Sequence, residues 1–153
     1  MESSTLARAT RIPGAVQSAR VLLAAIAISH LVTAVVLGID RSALRDQIAS
    51  QHPELAATEV ARSATVAVTA GAVFHGILLA VCLLTAWKLA TARSWTRRLA
   101  TVSQVLSVVF SVVSWSSSPM FHAVIPAVGA AQLLVVALLW TPSSAREFFA
   151  KRT

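Results

Sequence analysis

For 47 consecutive positions, 99–145, this chain carries no Asp, Glu, Lys or Arg. A helix that crosses a ~30 Å hydrocarbon core uses about 20 mostly apolar residues. A single straight helix over the whole run would be ~70 Å long at ~1.5 Å per residue. The run must therefore cross, turn and cross back, and Ser116, Ser117, Ser118 and Pro119 mark the predicted turn. Two further uncharged runs precede it, at 21–39 and 63–87. Only 12% of the residues are charged, against about 25% in soluble domains.

The sequence thus predicts an all-α integral membrane protein, folded as an antiparallel four-helix transmembrane bundle. The membrane domain covers 18–141, with spans at about 18–38, 60–90, 97–115 and 120–141. A loop at 40–62 joins the first two spans, and tails occupy 1–17 and 142–153. The first apolar run exceeds the 7–15 residues of a secretory signal, so it is read as a retained span. Pro13 and Gly14 are expected to break the chain before it. Ser42 is expected to cap a short loop helix at 43–49, on which Leu44 and Ile48 share a face. Pro53 and Glu54 suit the first turn of the second span. Pro126 removes a hydrogen bond to the His122 carbonyl and predicts a kink in the fourth span.

The net charge of +7 reads as topology rather than as nucleic-acid binding. Basic residues collect on the cytoplasmic side of membrane proteins. Arg8, Arg11 and Arg20 precede the first span. Lys88, Arg93, Arg97 and Arg98 separate the second from the third. Arg146, Lys151 and Arg152 follow the fourth. Four of the six acids (Asp40, Asp46, Glu54 and Glu59) lie in the 40–62 loop. The expected orientation is N-terminus in and C-terminus in, with the loop outside. Trp87, Trp95, Trp115 and Trp140 fall near the same boundaries, where indole rings favour the interface. Arg outnumbers Lys 11 to 2, a usage that points to a GC-rich bacterial genome and hence to the bacterial cytoplasmic membrane.

Each span carries a polar side chain near its middle: His30, His75, Gln104 with Ser107, and Gln132. Hydrocarbon offers them no hydrogen-bond partner, so they are expected to face one another as a polar core. Small residues suggest where helices meet: Gly71 and Ala72, the row Ala123, Ala127 and Ala131, and the serines 103, 107, 111 and 114. Three readings of the polar core compete. Interhelical hydrogen bonding is the first, and no cofactor is needed for it. Axial ligation of a b-type haem by His30 and His75 is the second. A path or pocket for protons, lipid or a small solute is the third. The lone Cys82 excludes an intramolecular disulfide and a cysteine metal cluster, and no metal site is expected. His52 with Glu54 is the one conceivable interfacial catalytic pair, and no catalytic motif supports it.

The Arg11-x-Pro13 element before the first span resembles small four-span membrane proteins of unknown function common in actinobacteria. So does the ending Leu138-Leu139-Trp140-Thr141-Pro142-Ser143-Ser144 with Phe148-Phe149. The resemblance implies a multi-pass membrane layout and no catalytic residue. The functional expectation is a non-enzymatic accessory or scaffold subunit of a larger membrane complex. Its expected partners are lipids and other membrane proteins or copies of itself. A haem-, lipid- or solute-binding bundle around His30 and His75 is the alternative.

Overall fold

The structure is a computed structural model that describes residues 12–115 and 121–150. Among them every regular element is a helix, without strands. The helices are α1 (Gly14–Ile39), α2 (Arg41–Gln51), α3 (Ala57–Lys88), α4 (Ser94–Val113), α5 (Val124–Trp140) and α6 (Ser143–Ala150), with a 3-10 turn, Leu89–Thr91, after α3. The expected turn at 116–119 and the basic residues Arg8, Arg11, Lys151 and Arg152 lie outside the described residues.

Several helix ends differ from expectation, each for a local reason. α1 begins at Gly14 rather than 18, because the Pro13 carbonyl accepts the first helical bond from Gln17 N (3.0 Å). Proline costs nothing there, since its missing N–H would have no partner at a helix start. α2 starts at Arg41, preceded by Asp40 rather than capped by Ser42. Leu44 and Ile48 are half-buried and do share its face. α3 starts at Ala57, not at Pro53. Glu59 reaches back to accept from the Ala56 N–H (3.1 Å), which is half of a capping box. Pro126 stands in the first turn of α5, so it removes no internal bond and the predicted kink has no cause. Residues 143–150, read as tail, form α6, bent 65° from α5. There Ala145 and Phe149, four apart, supply the buried side.

α1 and α3 are each long and apolar enough to cross a membrane, and a third candidate span arises if α5 and α6 count as one bent span. α4, expected as a crossing at 97–115, is not in that set. Its composition explains why: two arginines, four serines and Gln104 dilute its apolar residues. The placement of those residues is nevertheless telling. α4 buries Thr96, Ala100, Ser103, Gln104 and Ser107, and exposes Val102, Leu106, Val109, Phe110, Val112 and Val113. A helix in water shows the reverse pattern.

The chain forms two compact units. One runs up to Ile26 and resumes at Val81; the other is Ala27–Ala80. In the first, α4 packs against α5, and α6 packs against both. The α3–α4 reversal there closes through Ala92 in the left-handed conformation (φ 58°). Arg20 Nε donates to the Ala86 carbonyl (2.8 Å), tying the start of α1 to the end of α3. In the second unit, the C-terminal half of α1 lies antiparallel to α3. His30 meets His75, and Leu37 lies against Gly71, where an added Cβ would stand 2.9 Å from Leu37 Cδ1.

The close approach at Gly71 sets an expectation. Gly71→Ala displaces only the tip of Leu37 and is expected to cost less than about 1 kcal/mol, whereas Gly71→Leu overpacks the contact at ~1–3 kcal/mol. Thermal unfolding in detergent distinguishes the two; equal melting temperatures would show that the helices do not meet there.

Candidate functional site

The five polar residues singled out from sequence divide between the two units. His30 and His75 belong to the Ala27–Ala80 unit. Helical spacing places Ala27, Thr33 and Ala34 on the His30 side of α1, and all three are buried or half-buried. His30 is 5% exposed and His75 half-buried. Their Nδ1 atoms lie 3.0 Å apart and their ring centroids 5.2 Å apart, at 39°. With both rings neutral, one Nδ1–H donates to the other Nδ1, which requires opposite tautomers in the two rings. Nε2 of His30 is buried and makes no hydrogen bond to the described residues. Phe74 packs edge-on against His75 (5.4 Å).

This geometry does not fit a metal held between the two Nδ1 atoms. An imidazole nitrogen binds a metal at ~2.0–2.1 Å, so two nitrogens on opposite sides of one ion, as axial haem ligands are, stand ~4 Å apart. At 3.0 Å they share a proton instead. Among the described residues no group of three or more His, Cys, Asp or Glu side chains is placed to hold a metal ion.

The other unit holds Gln104, Ser107 and Gln132, all buried. Gln132 Nε2 donates to Ser107 Oγ (2.8 Å), joining α5 to α4. Gln104 Nε2 lies 3.2 Å from Ser103 Oγ and 3.5 Å from Cys82 Sγ, joining α4 to α3. The Oε1 atoms of Gln104 and Gln132 are buried without a hydrogen bond. The serine row is buried at Ser103 and Ser107 and half-buried at Ser111 and Ser114.

Two small-residue expectations need correction. Ala123 and Ala127 are exposed and Ala131 half-buried; α5 instead packs through Gln132, Val135 and Leu139. Ala72 is exposed as well. α5 is apolar on every side, so its sequence carried no amphipathic signal. Its one amide decided which side turns inward.

Sequence reasoning also missed side chains that the structure brings together. Thr85 is fully buried, its hydroxyl donating to the Val81 carbonyl (2.7 Å); such back-bonding hides a hydroxyl inside an apolar helix. The Arg97 guanidinium carbon lies 3.8 Å from the Trp140 ring centroid and 5.3 Å from that of Phe149. Trp140 Nε1 donates to Thr101 Oγ1 (2.7 Å). The signal was available: arginines and aromatics at both sides of one predicted boundary. His122 stacks on Trp115 (4.1 Å, 5°) and its Nε2 donates to the Trp115 carbonyl (2.7 Å), pinning the far ends of α4 and α5.

In the loop, His52 Nδ1 lies 3.2 Å from Glu54 Oε1, and both side chains are more than half exposed. The Glu54 carboxyl is held below its ordinary range, first by its own backbone N–H and then by His52. A pair so open to water lacks the enclosure that gives a carboxylate–histidine couple its catalytic strength. Elsewhere, α3 carries a shallow apolar groove of about 610 Å³ lined by Thr65, Val66, Thr69, Val73, Phe74 and Ile77 among others.

Comparison with protein-family models, curated proteins and solved structures finds no significant match for this chain.

The Gln132–Ser107 bond lends itself to a double-mutant cycle. Ser107→Ala alone strands a buried amide and is expected to cost about 1–3 kcal/mol. Gln132→Leu removes that amide, so the double variant is expected to recover part of the loss, with a coupling of ~0.6–2 kcal/mol. Strictly additive unfolding free energies would show that the two side chains do not interact.

Proposed function

We propose that this chain is a non-enzymatic multi-pass protein of the bacterial cytoplasmic membrane, acting as an accessory or scaffold subunit by lateral association. In this reading it crosses four times, successive spans antiparallel, with both termini inside and the 40–62 loop outside. α4 crosses as the third span despite its low average hydropathy, because the polar residues at its middle, Ser103, Gln104 and Ser107, are buried.

The observation that carries the association reading is how little of α1 and α3 the chain covers itself. Of the most apolar 18-residue window, only 22% in α1 and 17% in α3 is buried. The row Ala123 and Ala127 lies on the exposed side of α5, where small residues allow a second helix to approach closely. The groove on α3 offers another apolar contact. Extraction from native membranes with a gentle detergent is expected to yield a species larger than the monomer. Ala127→Phe is expected to shift it about tenfold toward monomer, ~1.4 kcal/mol, with no change in melting temperature. A wild-type protein that leaves the membrane as a clean monomer would refute the proposal.

A second reading rests on His30 and His75. A buried imidazole nitrogen without a partner is an unusual expense in an apolar setting, and it could meet a small polar solute or, after the rings part, a haem iron. His75→Ala is then expected to abolish a ligand-dependent rise in melting temperature while the unliganded protein stays folded. An oxidised and reduced absorption spectrum of the natively purified protein tests the haem form directly.

A further inference from the structure

In the unit built on α4, α5 and α6, the described residues hold six cations (Arg20, Lys88, Arg93, Arg97, Arg98 and Arg146) and one carboxylate, Glu147. The only ion pair among the described residues is His52–Glu54, in the other unit. None of the six cations is therefore paired with an acid among the described residues. Three of them, Arg93, Arg97 and Arg98, stand at the start of α4. That helix has no acid in its first turn and no side-chain cap. Cations are unfavourable at the positive end of a helix dipole, so the protein accumulates positive charge where its own fold penalises it.

The middle arginine is also built into place. Its guanidinium faces the Trp140 and Phe149 rings, and Trp140 is fixed by its bond to Thr101. Arg97 Nε is buried and makes no hydrogen bond. Arg93, in extended backbone just before the first turn of α4, and Arg98, next to Arg97, are both exposed. Aromatic faces orient the plane of a guanidinium and leave its edge N–H groups as donors. Those donors match two oxygens of one phosphate. The surroundings fit a bilayer boundary: Trp87, Trp95 and Trp140 are exposed beside these cations, and Lys88 Nζ lies over the Trp87 ring (4.1 Å).

We propose that Arg97, with the exposed Arg93 and Arg98, forms a binding site for the phosphate headgroup of an anionic phospholipid at the α4–α5–α6 end of this unit. The charge complementarity favours an anionic over a zwitterionic headgroup. The interfacial tryptophans favour a lipid over a free phosphate. The site is independent of the partner proposed above, because it uses the helix ends rather than the exposed span faces.

The test uses the full chain in detergent, mixed with equal amounts of phosphatidylglycerol and phosphatidylethanolamine, with bound lipid counted by native mass spectrometry. Wild type is expected to retain phosphatidylglycerol at least about fivefold over phosphatidylethanolamine, and Arg97→Gln to lose about fivefold of that preference. Arg45→Gln, on α2, is expected to leave it unchanged. The double variant Arg93→Gln/Arg98→Gln alters only exposed side chains, so it tests the site even if Arg97→Gln does not fold; it too is expected to reduce the preference. Equal retention of both lipids, or full preference in the double variant, would overturn the proposal. Displacement of the lipid by millimolar inorganic phosphate would overturn the assignment to a lipid.

Discussion

A polar side chain in hydrocarbon must find its partner inside the protein, and this constraint organises the helices described here. Gln132 on α5 meets Ser107 on α4, and Gln104 on α4 meets Cys82 on α3. Each such bond adds only ~0.6–2 kcal/mol. Its larger effect is on orientation. Without Gln132, α5 could present any side to α4, because it is apolar all round. With it, Val135 and Leu139 follow inward by helical spacing, and Leu133 and Leu134 are left outside. The same logic governs α4, where four buried polar side chains (Thr96, Ser103, Gln104 and Ser107) leave valines on the outward side. On α4 the result is a polar side turned inward and an apolar side turned outward, an arrangement favoured where the surrounding solvent is itself apolar.

In the Ala27–Ala80 unit the equivalent contact is the His30–His75 bond, supported by the fit of Leu37 against Gly71. Two neutral imidazoles can hold helices together as well as a serine and an amide can. They differ in keeping a proton that can be exchanged, and His30 keeps an unused nitrogen. That difference is why a ligand-binding reading stays beside the association reading, which rests on the broad exposed faces of α1 and α3. The basic end of α4 serves neither purpose. Its arginines have no acidic partner among the described residues, and Arg97 lies against the Trp140 and Phe149 rings, an arrangement suited to the chemistry of the bilayer surface.

Much of the helical layout could be read from the chain because charge spacing and bilayer thickness constrain it directly. The uncharged runs mark where α1, α3 and α5 lie. The identity of the polar residues was legible too, since a glutamine or histidine inside such a run is conspicuous. What could not be read was which side of each helix turns inward. The alanine row on α5 has good packing spacing and is exposed, because spacing alone does not compete with an amide that must be buried. Proline misleads at two helix starts, Pro13 by looking like a breaker and Pro126 by looking like a kink. Pro13 and Pro126 both stand at or before a first turn, where no N–H is missed. α6 was hidden because 143–150 is short and polar, and only the Ala145–Phe149 spacing betrays it.

The claim that the valine-rich side of α4 faces lipid can be tested by spin labelling. Val105→Cys and Val109→Cys would be labelled in a Cys82→Ala background in bilayers, with Ser50→Cys on the exposed side of α2 as the aqueous reference. Power-saturation measurements compare collisions with oxygen, which partitions into lipid, and with a water-soluble nickel chelate. Labels at 105 and 109 are expected to collide with oxygen and to be shielded from nickel, the opposite of the label at 50. Nickel accessibility at 105 and 109 equal to that at 50 would contradict the account, because the apolar exterior of α4 would then face water.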